Sequence, residues 1–520
     1  MPEKFLTMVI NKIFPNLSKY PDKTIKGYFK GGVKTIKYSE LFDNVKRIAA
    51  FLRLKGVRKG DYVAIYGENS FEWITIDLAC MYLGAITAPL DTKQELGLDI
   101  IEGLNLKIVF SETSLPDERI ISISKTFEIL DGFDESFEFH KFSIEESYTL
   151  ISTSGSTGPS KFIEVRTGAF ENLVSETVEK FNITSQLNFV SFLPLYTYLE
   201  RVYVYSSIIY QFNLIVTSVE YLFPVLKRED VNFIIGVPLL YESLQDKVQR
   251  EINKSWAGKF YFSKWQKINS LGLKLKFPPL KKVLGKSMKY MLCGAAPIKK
   301  QTLKFFDSLG FEIYEGYGLS EMANMATLNY PGSRKIGSVG KVFSNAEMKI
   351  LDDGELCFKS DFFANSKYYY SMEENTVYKG DWLHTGDLGY QDDEGYVFIN
   401  GRKNDLIVLS SGKNIYPVPI EKLIESSDVV DMAVVFDLDK EVLVAVVCLA
   451  EGMTKRNLND WMVSVNEKLD STAKIKNTIL ADESFSVKNG FLSSTLKKKR
   501  KLIIEKYKLE ISRRNGNENN

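Results

Sequence analysis

The sequence predicts an α/β protein with a large, multi-sheet N-terminal domain of doubly wound character and a small α+β C-terminal domain. Helix and strand patterns alternate from Tyr38 to Phe311, as expected when helices cover both faces of a mostly parallel sheet. A smaller alternation follows the turn-rich residues 403–405. Because 520 residues exceed one ordinary core, we divide the chain into residues 1–402, a junction at 403–405 and residues 406–520.

The first β-α-β unit shows the pattern most clearly. Apolar residues recur at three-to-four spacing from Leu41 to Leu52, which predicts a helix before Gly56. Residues 61–66, 71–83 and 85–89 are then predicted to form a strand, a helix and a second strand. In the C-terminal part, residues 429–436 and 442–450 are predicted strands and residues 457–469 a helix.

Composition excludes several function classes. A net charge of +1 argues against a dedicated nucleic-acid binder. Two histidines leave almost no scope for His-based metal sites or Ser-His-Asp catalysis. Four cysteines lie far apart without C-x-x-C spacing, which predicts reduced core residues and a cytoplasmic protein: Cys80, Cys293, Cys357 and Cys448.

No transmembrane segment is expected. Residues 202–219 are uncharged over 18 positions, which is about the minimum length for a spanning helix. Their Ser, Gln, Asn and Tyr content instead predicts a buried helix followed by a strand.

A Thr/Ser/Gly loop between two apolar runs is the main candidate binding site. Its two glycines permit close approach of the backbone to a ligand, and its hydroxyl and N–H groups suit phosphate. Lys161 adds a positive charge at the far end. A flexible surface turn is the alternative, but the flanking strand-like runs favour a held loop. The candidate phosphate ligands are Thr153, Ser154, Gly155, Ser156, Thr157 and Gly158.

The loop T-S-G-S-T-G-P-S-K resembles the signature of the adenylate-forming superfamily, whose loop holds the β- and γ-phosphates of ATP. The segment E-N-S-F-E-W-I-T-I-D-L-A-C-M-Y-L-G-A-I-T-A-P-L-D-T resembles long-chain acyl-CoA synthetases in particular. L-P-L-Y-T-Y-L-E-R matches a further block with Thr197 where a His is usual, and V-P-L-L-Y-E matches another with Leu239 replacing Arg.

Two later blocks complete the expected nucleotide site. L-C-G-A-A-P resembles the block that borders adenine, which implies contacts from Gly294, Ala295 and Ala296. Y-E-G-Y-G-L-S-E resembles the next block, in which Tyr317 offers an aromatic face and Glu321 an oxygen ligand for Mg²⁺, shared with Thr153. The other candidate nucleotide contacts in this block are Gly316, Gly318 and Ser320.

Three residues near and within the C-terminal part carry the remaining implied roles. W-L-H-T-G-D and G-R match blocks whose Asp and Arg hold the ribose, here Asp387 and Arg402. G-F-L-S-S-T-L-K-K-K-R resembles the ending that supplies the catalytic lysine, here Lys497, so we expect Lys498 and Lys499 to be dispensable. The resemblance also implies a mobile lid that rotates at Asn404, where a charged residue is commoner.

The implied reaction joins a fatty acid and MgATP into acyl-AMP and pyrophosphate, after which coenzyme A displaces AMP. Catalysis would rest on positioning and charge neutralisation, with Glu321 and Lys497 as the catalytic groups. One alternative is an acyl-AMP ligase that delivers the acyl group to a carrier protein. The other is a catalytically weak lipid-binding or scaffold relative.

A basic stretch predicts a membrane contact. Residues 252–306 contain 13 lysines and no Asp or Glu, interleaved at the start with Trp256, Phe260, Tyr261, Phe262 and Trp265. Lysines attract anionic headgroups and aromatic rings suit the membrane interface. We therefore expect peripheral binding at the cytosolic face of an internal membrane, with a solvated lysine-rich loop as the alternative.

Overall fold

The computed structural model describes residues 8–113, 115–128, 137–153, 161–323, 325–364, 368–369, 378–486, 488–492 and 498–517. Its strands form three large sheets before residue 403 and two small sheets after it. The predicted α/β architecture, with a smaller α+β part at the C-terminus, is confirmed.

The first sheet has seven strands and contains the predicted β-α-β unit. Its central strands are parallel, as expected for a sheet covered on both faces. A final hairpin adds an antiparallel pair. In spatial order the strands are Tyr368–Tyr369, Lys161–Arg166, Ser147–Thr153, Ile86–Pro89, Tyr62–Tyr66, Ile108–Ser111 and Ile120–Ile121.

The second sheet has nine strands, and its central six run parallel. Parallel strands align their carboxyl ends along one edge, where ligands of open α/β sheets bind. In spatial order the strands are Lys341–Val342, Thr327–Leu328, Ile313–Tyr317, Tyr290–Cys293, Phe233–Gly236, Asn188–Ser191, Asn213–Val216, Thr24–Phe29 and Gly32–Lys37.

Helices fill the space between these two sheets. Phe71–Leu83 and Tyr198–Tyr210 bury nearly every residue, because both belong to a core shared by strands of the two sheets. The uncharged segment is thus a buried helix followed by the strand Asn213–Val216, as predicted. The other helices of this part are Ile13–Lys19, Tyr38–Leu54, Leu98–Gly103, Thr167–Phe181, Leu222–Arg228, Pro238–Asn253, Trp256–Ser270, Pro278–Leu284 and Lys300–Ser308.

A third, antiparallel sheet was not predicted. Two of its strands have only four and two residues and bury none of them, so they carry little period-two signal. The sheet matters because it carries both candidate ribose-binding residues. Its strands are Glu347–Ile350, Glu355–Lys359, Trp382–Gln391, Tyr378–Lys379 and Val397–Arg402.

The C-terminal part begins after the single 3₁₀ turn Lys403–Asp405. Apolar clusters on both faces of its three-stranded sheet give it a core of its own. The strands are Ile407–Val408 with Asn414–Ile415, and Val430–Leu438, Val442–Leu449 and Ile475–Leu480; the helices are Pro417–Ile424, Lys455–Glu467 and Arg500–Asn517.

Two further expectations bear on the whole chain. All four cysteines are buried and free, as predicted. Among the residues described above, no helix combines the length and apolarity needed to cross a bilayer.

Candidate active site

The candidate phosphate loop lies between two antiparallel, paired strands of the first sheet. Thr153 is the last residue of one strand, Lys161 is the first of the next, and the two are register partners. The loop's two ends therefore lie side by side, as the flanking strands predicted. The candidate ligands between them lie outside the described residues: Ser154, Gly155, Ser156, Thr157 and Gly158.

A buried arginine supports this hairpin. Arg201 is fully buried and donates from Nη1 to Thr149 Oγ1 at 2.5 Å and from Nη2 to the Leu150 carbonyl at 3.3 Å. Its guanidinium also lies 3.8 Å from the Asp77 carboxylate. A buried ion pair with hydrogen bonds resists displacement, because loss of one partner leaves an uncompensated charge. Arg201 thus positions the strand that enters the phosphate loop, a role that the sequence analysis missed.

The two residues that differ from the family's blocks, Thr197 and Leu239, lie in different surroundings. Thr197 precedes the helix Tyr198–Tyr210, and its hydroxyl donates to the Pro194 carbonyl at 2.6 Å. Thr197 therefore stabilises the turn that precedes this helix. Leu239 lies 38% exposed on the helix Pro238–Asn253.

The expected adenine-binding blocks lie at the ends of neighbouring parallel strands. Gly294 follows Tyr290–Cys293, and Gly316 lies in Ile313–Tyr317. A Cβ built on Gly294 meets only the Gly316 carbonyl, at 3.9 Å. The missing side chain therefore leaves the backbone at Gly294 open to close approach by a ligand. Ala295 is exposed with φ 69° and Ala296 is half-buried, while Gly318 and Ser320 continue beyond the second strand.

Asp387, Arg402 and Tyr317 meet at one point. Arg402 Nε lies 2.7 Å from Asp387 Oδ1, and the Tyr317 hydroxyl donates to Asp387 Oδ2 at 2.6 Å. Burial and the adjacent Asp387 carboxylate raise the pKa of Tyr317 well above its ordinary value, so the hydroxyl remains a donor. A carboxylate offers about four acceptor positions. Asp387 is only 4% exposed, and Arg402 and Tyr317 contact both of its carboxylate oxygens.

The turn that carries Glu321 packs against the strand ending at Thr153. Glu321 is half-buried in the 3₁₀ turn Ser320–Met322, and its carbonyl accepts from Ala364 N at 3.1 Å. This turn therefore lies against the strand that leads into the candidate phosphate loop. Mg²⁺ prefers hard oxygen ligands, and the Glu321 carboxylate is a ligand of that kind.

The junction is held by charged groups on both sides. Lys403 Nζ donates to Glu355 Oε2 at 3.0 Å and also pairs with Asp353. Asn404 is exposed in the same turn, and Arg500 Nε lies 3.5 Å from Asp405. Hydrogen bonds tie the junction to Glu355, which the sequence analysis did not single out.

Described residues of the basic run form ion pairs within the C-terminal part. Lys498 donates to the Ala433 carbonyl at 2.6 Å and pairs with Glu425, while Arg500 pairs with Glu421. Lys498 is half-buried and ion-paired, so its removal would leave Glu425 without its ion-pair partner. Lys497 lies outside the described residues.

The two-part fold and the nucleotide site at the sheet edges define the class of adenylate-forming enzymes. A model of the AMP-binding enzyme family matches residues 14–369. A model of the AMP-binding enzyme C-terminal domain matches residues 404–515. The chain therefore belongs to the AMP-binding enzyme family.

Curated relatives cover most of this chain. A long-chain-fatty-acid–CoA ligase of Mycobacterium bovis is 24% identical, over 96% of this chain and 95% of that protein. Fatty acyl-CoA synthetase A of Dictyostelium discoideum is 26% identical, over 93% and 86%. The 2-succinylbenzoate–CoA ligase of Bacillus subtilis is 26% identical, over 76% and 78%. The match as a whole assigns the protein to the AMP-forming acyl-CoA ligase class, within which the relatives' acids differ.

Solved structures show the same fold. The o-succinylbenzoate coenzyme A synthetase of Bacillus subtilis, in complex with ATP and a magnesium ion, superposes with a TM-score of 0.75 at 24% identity, covering 94% of this chain and 98% of that one. ATP-bound MatB from Rhodopseudomonas palustris gives a TM-score of 0.78 at 23% identity, covering 96% and 99%.

Proposed function

We propose that this protein activates a long-chain fatty acid with MgATP to acyl-AMP and pyrophosphate, and then transfers the acyl group to coenzyme A. The choice of acid rests on the share of this chain that each relative matches. A long-chain-fatty-acid–CoA ligase matches 96% of the chain, whereas a 2-succinylbenzoate–CoA ligase matches 76%.

The residues divide the work by charge and position. The hairpin loop that ends at Lys161 holds the triphosphate, and Asp387 and Arg402 hold the ribose beside Tyr317. Glu321 and Thr153 hold Mg²⁺, whose contribution when bound is neutralisation of phosphate charge. Lys497 supplies the cation where the carboxylate attacks phosphorus, a step that negative oxygens otherwise oppose. No protein nucleophile is required.

Release of AMP and pyrophosphate from ATP by the purified protein tests this proposal. The acids are palmitate, octanoate, acetate and 2-succinylbenzoate, each with and without coenzyme A. We expect palmitate to give the fastest release, with acyl-CoA formed only when coenzyme A is present. Faster turnover of 2-succinylbenzoate contradicts the assigned acid. Acyl-AMP that accumulates despite coenzyme A indicates a carrier-protein acceptor, and no acid-dependent release indicates a lipid-binding or scaffold protein.

We further propose that the protein binds peripherally to anionic membrane at the cytosolic face of an internal membrane. On the helix Trp256–Ser270 only Asn269 is buried, and Trp256 is 78% exposed. Leu271 beyond it is 79% exposed. We call the exposed lysine, aromatic and leucine residues of 256–275 the basic-aromatic patch: Trp256, Lys259, Phe260, Tyr261, Lys264, Lys267, Leu271, Leu273, Lys274 and Leu275.

The patch is smaller than the stretch that the sequence suggested. Phe262 and Trp265 pack inward against Phe277, and Tyr290–Cys293 is a buried central strand. What remains exposed combines apolar rings with lysines and lacks acidic residues, so its charge complements anionic headgroups. Fatty acids of long chain partition into membranes, which gives such a surface a use in the proposed reaction.

A further inference from the structure

A Glu, a Cys and a His converge on one face of the third sheet. Glu355 and Cys357 are two positions apart on the strand Glu355–Lys359, so their side chains point to the same face. His384 is the register partner of Cys357 on the neighbouring strand Trp382–Gln391. Strand pairing alone thus brings three different metal-ligating groups together.

The spacing of their ligand atoms suits one ion. His384 Nδ1 lies 3.6 Å from Cys357 Sγ and 3.6 Å from Glu355 Oε2, and all three atoms lie within 4.8 Å of one another. Tetrahedral Zn²⁺, with bonds of about 2.0–2.3 Å, separates its ligands by about 3.3–3.8 Å. Little rearrangement is therefore needed to close around an ion.

We propose that Glu355, Cys357 and His384 form a binding site for Zn²⁺ or a similar borderline divalent ion. Sulfur, nitrogen and carboxylate oxygen together suit Zn²⁺, whereas Mg²⁺ prefers oxygen alone. The His384 side chain is 15% exposed and gives the ion a path from solvent. On binding, the Cys357 thiol releases its proton to solvent, and water completes the tetrahedron. The site is separate from Glu321 and independent of the proposed substrate.

The ion competes with the junction for one oxygen atom. Lys403 Nζ donates to Glu355 Oε2 at 3.0 Å, the same oxygen that faces His384. Coordination of that oxygen by a cation displaces the ammonium, which retains Asp353 as its partner. Lys403 belongs to the turn at which the C-terminal part begins. Ion binding and the Lys403–Glu355 contact are therefore negatively coupled, and the coupling is reciprocal.

Co²⁺ titration of the purified, chelator-treated full-length chain tests the site, with excess Mg²⁺ present. We expect a near-ultraviolet thiolate-to-Co²⁺ absorption band with the visible bands of tetrahedral Co²⁺, both removed by added Zn²⁺. Cys357→Ser should remove the thiolate band and His384→Ala should weaken binding at least about 10-fold. Cys448→Ser, which changes another buried thiol, should leave the spectrum unchanged. Lys403→Ala should tighten binding about five-fold or more, since it removes the competitor.

Two results overturn the proposal. One is a wild-type dissociation constant for Co²⁺ and Zn²⁺ weaker than about 1 mM. The other is a thiolate band that persists in Cys357→Ser. Circular dichroism establishes whether each variant is folded. If Cys357→Ser is not folded, Glu355→Gln, which keeps the side-chain shape, serves as the second variant. In that case, unchanged Co²⁺ affinity in folded Glu355→Gln takes the place of the second result.

Discussion

Individual side chains at the nucleotide site differ in role because their surroundings differ. Asp387 is 4% exposed and held by both Arg402 and Tyr317, so its orientation is fixed before a ligand arrives. Glu321 is half-buried in a short turn beside the phosphate loop. The preorganised Asp387 carboxylate suits the hydroxyl groups of a sugar. The Glu321 carboxylate suits a cation that arrives with its nucleotide.

Glu321→Gln keeps the shape of this side chain and removes its charge. We expect acyl-AMP formation to fall about 100-fold or more, the scale of one electrostatic contact in an active site. The measurement is pyrophosphate release at limiting Mg²⁺. Glu347→Gln, an exposed carboxylate on another sheet, should leave the rate unchanged, and a near-normal rate in Glu321→Gln would show that the ligand was assigned wrongly.

Lys497→Ala should stop the first half-reaction and spare the second. Loss of the charge contact raises the barrier by about 3 to 4 kcal/mol, or about two to three decades of rate. Acyl-AMP formation from fatty acid and ATP is measured separately from conversion of supplied acyl-AMP and coenzyme A.

The control variant for Lys497→Ala must be a lysine of the basic run that forms no ion pair with a buried carboxylate. Lys501→Ala is suitable because Lys501 is exposed, whereas Lys498→Ala would leave Glu425 without its partner. Equal and modest losses in both half-reactions for Lys497→Ala and Lys501→Ala would mean that the run is only a charged surface.

At the scale of elements, the helix Trp256–Ser270 is unusual because it exposes aromatic side chains, which helices usually bury. Phe262 and Trp265 attach one side of it to the core, while Trp256 and Phe260 stack on each other, 5.6 Å apart, on the exposed side. Such an amphipathic helix with lysines on its polar flank is suited to the membrane interface.

Replacing two lysines of the basic-aromatic patch should weaken membrane binding. Each lysine contributes about 1 kcal/mol near anionic headgroups, so Lys259→Gln with Lys264→Gln should reduce affinity about 30-fold. Sedimentation with phosphatidylcholine vesicles, with or without phosphatidylserine, at low and high salt provides the measurement. Lys455→Gln with Lys474→Gln, two exposed lysines of the C-terminal part, is the matched control. Equal sedimentation with both vesicles at both salt concentrations argues for a merely solvated helix.

At the scale of the whole molecule, buried charges join the two parts. Lys299 follows the Gly294 block and donates to the Asp431 carbonyl at 2.9 Å. Glu315, which precedes Gly316 of the expected adenine site, interacts electrostatically with Lys422 of the helix Pro417–Ile424. Burial raises the pKa of Glu315 from 4.5 to about 7, and Lys422 partly opposes this increase.

This pKa predicts a pH dependence of stability. A carboxyl whose pKa is higher in the folded state favours folding when protonated, so its contribution is complete below about pH 4.5 and is lost as pH rises through about 7. Glu315→Gln should therefore flatten the dependence of unfolding free energy on pH between these values. Urea unfolding at several pH values measures it, with Glu220→Gln, an exposed residue, as control. An unchanged slope in Glu315→Gln would assign the dependence to other groups.

Much of the fold could be predicted because periodicity is local. The helix Phe71–Leu83 was predicted at its observed bounds, and the strands beside it within one residue. The hairpin around the phosphate loop was equally visible, because apolar runs flank it. The roles of the site residues were inferred from resemblance to a family and not from periodicity. For Lys497 and the loop, these roles remain predictions.

The sequence by itself determined the elements with strong periodicity, the order of the site blocks and the family. Only the tertiary structure decided that Arg402 pairs with Asp387, that Arg201 supports the hairpin and that Lys498 pairs with Glu425. It alone brought His384 to Cys357 across two strands. The physical reason is that local sequence sets backbone conformation, whereas contacts between distant residues depend on strand register and helix packing, which arise only when the whole core forms.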